Sequence, residues 1–211
     1  MRRLPVYLVL DVSGSMLGEP IESVRSGLQT LVSTLRTDPY ALETAYLSVI
    51  VFDDKARQVV PLTELTVFQP PAINAGSSTA LGDALKVTGE CIKREVQLTT
   101  ADVKGDWKPL VFIMTDGQPT DDWRRGLDAF RKVKTGMVIA CAAGSQADTS
   151  VLRQITEIVV SLDTADASTI NSFFKWVSAS ISTSSKKVDL NKKDSKDVND
   201  LPPPPPQITL V

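Results

Sequence analysis

The sequence predicts an α/β fold: a doubly wound, mostly parallel central sheet with one antiparallel edge strand and helices on both faces. Three observations carry this reading. Short apolar runs at residues 6–10, 45–52, 110–114, 137–143 and 158–162 have the continuous character of strands buried on both faces. Segments with helical apolar spacing alternate with them, the order that builds a parallel sheet through helical crossovers. The 211 residues, 42% of them hydrophobic, suffice for one substantial core.

Taken in order, Val6–Leu10 is a buried strand, and Ile21, Val24, Leu28, Leu31 and Leu35 recur at helical spacing behind Pro20, a residue suited to a first helical turn. Ala45–Phe52 reads as a second strand. The polar turn Asp53-Asp54-Lys55 then leads to an outer strand at Gln58–Val60, which Pro61 restricts to an edge or an end. A loop through Pro70, Pro71 and Gly76–Thr79 precedes a helix over about 80–96. A strand at 110–114 ends in Thr115-Asp116-Gly117, and Thr120, Asp121 and Asp122 mark the start of a helix over about 123–133. A strand at 137–143, a short helix at 149–155, a strand at 158–162 and a last helix at 167–181 complete the pattern. From about Thr183 polar residues replace apolar ones ahead of the proline run at 202–206, so 183–211 is expected to be a disordered tail, either a spacer or a polyproline strip for an aromatic groove.

Composition excludes several functions. With a net charge of −2, the chain has no electrostatic reason to bind nucleic acid or an anionic membrane. No apolar run reaches the length of a bilayer span, and the run after Met1-Arg2-Arg3 is too short for a secretory signal, which points to a cytoplasmic protein. Cys91 and Cys141 read as reduced core thiols. The absence of histidine removes Ser-His-Asp triads, Cys-His pairs and the histidine-bearing zinc motifs.

What chemistry remains lies in three loops that follow strands or precede a helix. Asp11-Val12-Ser13-Gly14-Ser15 places a carboxylate and two hydroxyls at the carboxyl end of the first strand, where open α/β sheets bind ligands. Thr79 precedes the second main helix, and Asp116 follows the strand at 110–114. If those two strands are neighbours, about 4.8 Å apart, Asp11 and Asp116 come within reach of one ion. An all-oxygen set suits a hard cation such as Mg²⁺. Each element also has a structural alternative: Ser13, Ser15 and Thr79 as helix caps, and Asp116-Gly117 as a turn. Asp53, Asp54, Asp83, Asp121 and Asp122 read as turn and helix-start residues. Trp107 and Trp123 flank Asp116 and are the expected partner-binding aromatics on the metal-bearing edge.

With Asp11-x-Ser13-x-Ser15, Thr79 in Gly-Ser-Ser-Thr-Ala-Leu-Gly and Asp116 in Thr-Asp-Gly, the chain resembles a von Willebrand factor type A (VWA) domain carrying a metal-ion-dependent adhesion site. The resemblance covers about residues 4–182, which gives a domain over 1–182. Through Arg2-Arg3-Leu4-Pro5-Val6 and Leu42-Glu43-Thr44-Ala45 it is similar to bacterial TerY-like proteins of tellurite-resistance and stress clusters; some of those carry a cysteine-rich zinc module where this chain has prolines. The resemblance implies that Ser13, Ser15 and at times Thr79 bind Mg²⁺ directly while Asp11 and Asp116 act mainly through water. Mn²⁺ or Ca²⁺ remains open as the ion.

The resemblance further implies a non-enzymatic docking module that captures a partner's Asp or Glu, with a PP2C-type phosphatase and a Ser/Thr kinase as candidate partners. The alternative is a haloacid-dehalogenase-like Mg²⁺-dependent phosphatase, which also sets a nucleophilic Asp after its first strand. That class needs a second Asp two residues on as general acid; here the position is Ser13, whose hydroxyl cannot serve.

Overall fold

The computed structural model describes residues 2–191 and 198–211. Seven strands form one sheet in the order β3-β2-β1-β4-β5-β6-β7. These are β1 (Leu4–Asp11), β2 (Ala45–Phe52), β3 (Ala56–Glu64), β4 (Leu110–Thr115), β5 (Met137–Ala143), β6 (Ile158–Leu162) and β7 (Ile208–Leu210). The helices are α1 (Glu19–Arg36), α2 (Pro39–Thr44), α3 (Leu81–Glu95), α4 (Trp123–Phe130), α5 (Thr149–Ile155) and α6 (Ala167–Asn191).

β1 lies in the middle, parallel to β2 on one side and β4 on the other, and all eight of its residues are buried. Its side chains alternate between two cores. Val6, Leu8 and Leu10 face α1 and α6, where Val24, Leu28, Leu31, Phe173 and Val177 pack. Tyr7 and Val9 face the helices α3, α4 and α5 through Leu85, Leu127 and Leu152. The two-residue period of a strand thus requires helices on both faces.

The chain winds outward from β1 to β2 and β3, then crosses back to start β4 on the far side of β1. The winding reverses between β1 and β4, so the crevice beyond their carboxyl ends is the switch point where doubly wound sheets bind ligands. Asp11 ends β1 and Asp116 follows β4 directly.

Both edges are antiparallel, β3 on β2 and β7 on β6, where one such edge was expected. β3 passes through Pro61 by means of a bulge: its register shifts opposite Ser48, whose hydroxyl bonds the carbonyl of Val60 at 2.9 Å.

The expected disordered tail from 183 is corrected. α6 runs on to Asn191, because Ser184, Ser185 and Val188 are buried. Ser178 and Ser180 bond the carbonyls of Phe174 and Trp176 one turn back, whereas the buried Ser184 and Ser185 hydroxyls have no hydrogen-bond partner among the described residues and are tolerated by close packing. Serine-rich composition therefore looks like a helix end where a close-packed helix continues. Beyond, Ile208 is buried and β7 closes the β6 edge; three residues are too short a strand for sequence periodicity to register. Part of the expected tail, residues 192–197, lies outside the described residues. Among the described residues no helix is long and apolar enough to cross a membrane.

Candidate metal centre

The site is assembled by neighbouring strand ends. Asp11 is fully buried; its Oδ1 accepts the Ser13 backbone N–H at 2.8 Å and its Oδ2 accepts the Thr115 hydroxyl at 2.5 Å. The loop then turns through a 3₁₀ segment, Gly14–Met16, closed by the Met16 and Leu17 amides onto Ser13 and Gly14. That turn sets Ser13 Oγ 3.0 Å from Ser15 Oγ, and Ser15 Oγ donates to Asp116 Oδ1 at 2.8 Å. Ser13 makes no side-chain cap to this turn.

Thr79 arrives on the long connection between β3 and α3. Leu65, Phe68 and Ile73 are buried beneath it. Two arginines of α1 bind its carbonyls, Arg36 those of Leu65 and Phe68, and Arg25 that of Ile73. Its far end pairs with the β1 loop, Gly14 N–H to Ser77 O at 3.0 Å and Gly76 N–H to Val12 O at 2.6 Å. Gly14 suits this closeness, since a Cβ there would lie 3.1 Å from the Ser77 carbonyl oxygen. Thr79 is tied on both sides to Thr120, by its amide to Thr120 Oγ1 at 3.1 Å and by its carbonyl from the Thr120 amide at 2.9 Å. Its hydroxyl lies beside Gly117, 3.4 Å from where a Cβ would stand. The capping alternative does not apply to Thr79: Asp121 takes the Gly82 and Asp83 amides that open α3.

All five expected site residues, Asp11, Ser13, Ser15, Thr79 and Asp116, therefore meet at the switch point. The two partner-binding aromatics do not behave as expected. Trp107 is 6% exposed, its amide bonds the carbonyl of Arg3 at the start of β1, and Arg2 lies over its ring, so it sits at the opposite edge of the sheet. The reason is topological: a residue preceding a parallel strand lies at the amino-terminal edge, not the carboxyl one. Trp123 opens α4 on the correct side but is 8% exposed and packs among Leu81 and Leu127.

Sequence reasoning missed Thr115, Thr120, Arg25 and Asp53 as supporting residues. Asp53 is ion-paired with Arg57, its carbonyl accepts the Ala80 amide, and its side chain presses on Gly76. For Thr115 the signal was present in the parallel register, which sets the residue after Met114 beside the one after Leu10.

Electrostatically the site lacks positive charge. Burial pushes the Asp11 carboxyl up to about 6, against the hydrogen bonds from Ser13 and Thr115, and nearby Asp116 adds to the rise. Burial raises Asp116 as well, opposed by the Ser15 hydroxyl. A cation between them would favour both charged forms.

The oxygens fit a small divalent ion. Mg–O bonds of about 2.1 Å put neighbouring corners of an octahedron about 3 Å apart, and Ser13 Oγ, Ser15 Oγ and Asp116 Oδ1 stand at successive spacings of 3.0 and 2.8 Å. Among the described residues no group of three or more His, Cys, Asp and Glu could hold a metal, so hydroxyls must supply donors.

Comparison with known proteins supports this geometry. The family model for the von Willebrand factor type A domain matches residues 6–176. The chain belongs to the VWA family. An uncharacterized protein of Synechocystis is 34% identical over 124 residues, spanning 56% of this VWA chain and 26% of the relative. The von Willebrand factor type A structure from Catenulispora acidiphila superposes with a TM-score of 0.63 at 17% identity, covering 86% of this chain and 43% of that one. Proximal thread matrix protein 1 from the mussel byssus, solved with zinc in its metal-ion-dependent adhesion motif, gives 0.58 at 19% identity, covering 84% and 45%. VWA domains are typically interaction modules rather than enzymes.

Proposed function

We propose that this VWA chain is a metal-dependent docking module, in which Ser13, Ser15 and Thr79, with Asp11 and Asp116 behind them, hold Mg²⁺ for a partner's Asp or Glu. The observation that carries the reading is the Ser13–Ser15–Asp116 run of oxygens, two neutral hydroxyls ahead of one carboxylate. An ion held there would keep electrophilic character and a position open to an acidic side chain. Sites with three or four protein carboxylates neutralise the ion and repel such a partner. Asp11 serves from within: buried and bonded to Ser13 and Thr115, it orients the loop and supplies charge without needing to touch the ion.

The finer assignment follows the TerY-like likeness of Arg2–Val6 and Leu42–Ala45. On that reading the module works in the cytoplasm, in a bacterial stress or tellurite-resistance system, and its partners are a PP2C-type phosphatase and a Ser/Thr kinase.

The test has two stages. Calorimetric titration with Mg²⁺, Mn²⁺ and Zn²⁺ should give one site, lost in Asp11→Ala. Binding of a purified PP2C-type phosphatase from the same gene cluster should then depend on Mg²⁺; equal affinity in Mg²⁺ and in EDTA would refute the docking mechanism.

A further inference from the structure

The proline run lies against the chain itself: Pro202, Pro204 and Pro205 are half-buried, while Pro203 and Pro206 are exposed. Trp176 of α6 donates its indole N–H to the Pro202 carbonyl at 2.9 Å, and Pro202, Pro203 and Pro205 face Ser172, Lys175, Trp176 and Ala179 across a cavity of about 270 Å³ that they leave unfilled. Prolines have no N–H to donate, so the run can make polar contacts only through its carbonyls, and the indole N–H of Trp176 donates to one of them. The chain then turns, Ile208 N–H bonding the Pro205 carbonyl at 2.9 Å, and becomes β7. There Ile208 is buried, Ile208–Leu210 pair with Leu162–Val160, and the Val211 amide bonds Val159 O at 3.0 Å.

Two modes of peptide recognition thus act in tandem on one segment, an aromatic groove for polyproline and strand addition to an open sheet edge. Two apolar side chains anchor it, Ile208 buried and Leu201 packed half-buried against the core, while Thr209, Leu210 and Val211 are exposed. Without this segment β6 would present an unpaired edge and α6 a bare indole.

We propose that α6 and the β6 edge form a peptide-binding site for a partner protein's proline-rich segment running into a short apolar strand, held shut by residues 201–211 as a tethered ligand. The site lies apart from the metal centre and does not depend on it. Tethering gives the tail an effective concentration in the millimolar range, so an outside peptide of equal quality is excluded until the tail is displaced.

The probe is a labelled synthetic peptide of residues 201–211, offered to the full chain. The expected result is saturable binding to Ile208→Asp, whose tail is ejected by a buried charge, at least about tenfold tighter than to the unaltered chain. Trp176→Phe in that background should weaken it about fivefold, the scale of one hydrogen bond. An Ile208→Asp chain that melts cooperatively yet ignores the peptide overturns the proposal, as does equally tight binding to the unaltered chain. Should Ile208→Asp fail to fold, excess peptide added to the unaltered chain must speed hydrogen exchange of the Val211 amide. Unchanged exchange at saturating peptide also overturns the proposal.

Discussion

Thr115 Oγ1 donates to Asp11 Oδ2 at 2.5 Å across the seam between β1 and β4. The last residue of one strand thereby fixes the carboxylate that ends its neighbour, at the point where the sheet's winding reverses. Thr115→Val keeps the shape and removes the donor. Leaving a buried carboxylate oxygen without its partner costs about 1–3 kcal/mol, so the metal-free melting temperature should fall. Supporting residues of metal sites typically contribute 10–100-fold in affinity, and calorimetry should show Mg²⁺ binding weakened on that scale.

The Asp11 carboxyl gives the site its pH dependence. Its folded value, about 6, lies above the ordinary 3.8, so the folded chain binds this proton more tightly than the unfolded chain does. The associated stabilisation is present below 3.8 and is lost as pH rises to about 6; the gap corresponds to about 3 kcal/mol. Asp11→Asn should therefore raise metal-free stability at neutral pH while abolishing the melting-temperature increase that Mg²⁺ gives the unaltered chain. In the unaltered chain Mg²⁺ must displace the proton, so affinity should decline as pH falls through 6. Calorimetric titrations at several pH values check the sign.

Much of this arrangement was legible in the residues. Val6–Leu10 reads as a strand buried on both sides, and Asp11 at its end, with Ser13 and Ser15, marks a ligand edge. What escaped had weak local signals. β7 is three residues long, and the last turns of α6 carry Ser184 and Ser185, polar residues that are nonetheless buried. Trp107 was misplaced because nearness to Asp116 in sequence says nothing of which end of β4 a residue occupies. Arg25 and Arg36 carry no sequence signal for their role, since their guanidinium groups collect carbonyls from a loop some thirty to fifty residues away.

Arg25 supports Thr79 at a distance. Its guanidinium binds the Ile73 carbonyl and Asn74 Oδ1, holding the approach to the loop whose other end pairs with the β1 loop. Arg25→Ala should leave the cores intact and lower stability by only about 1 kcal/mol, since the group is partly exposed. The Thr79 side of the site should loosen, so Mg²⁺ affinity should fall several-fold. Arg25→Lys keeps the charge without the two-pronged donor and should restore only part of it. Affinity unchanged in Arg25→Ala would separate this arginine from the metal centre.

Gly76 offers the sharpest geometric test. A Cβ there would lie 2.3 Å from the Asp53 Cβ and from its Oδ2, while the Gly76 amide is held 2.6 Å from Val12 O. Asp53 cannot withdraw freely, because Arg57 holds its carboxylate and the Ala80 amide holds its carbonyl. In Gly76→Ala the loop must move outward, away from Val12, at a cost on the scale of overpacking, about 1–3 kcal/mol. That displacement carries Ser77 off Gly14 and draws Thr79 from the ion. Mg²⁺ affinity should therefore fall by more than stability alone accounts for, measurable by titration well below the melting temperature. Asp53→Gly in the same chain removes both the Cβ and the carboxylate that meet the new methyl group and should recover part of the lost affinity. If the double variant binds no better than Gly76→Ala alone, the packing of Asp53 on Gly76 does not set the position of Thr79.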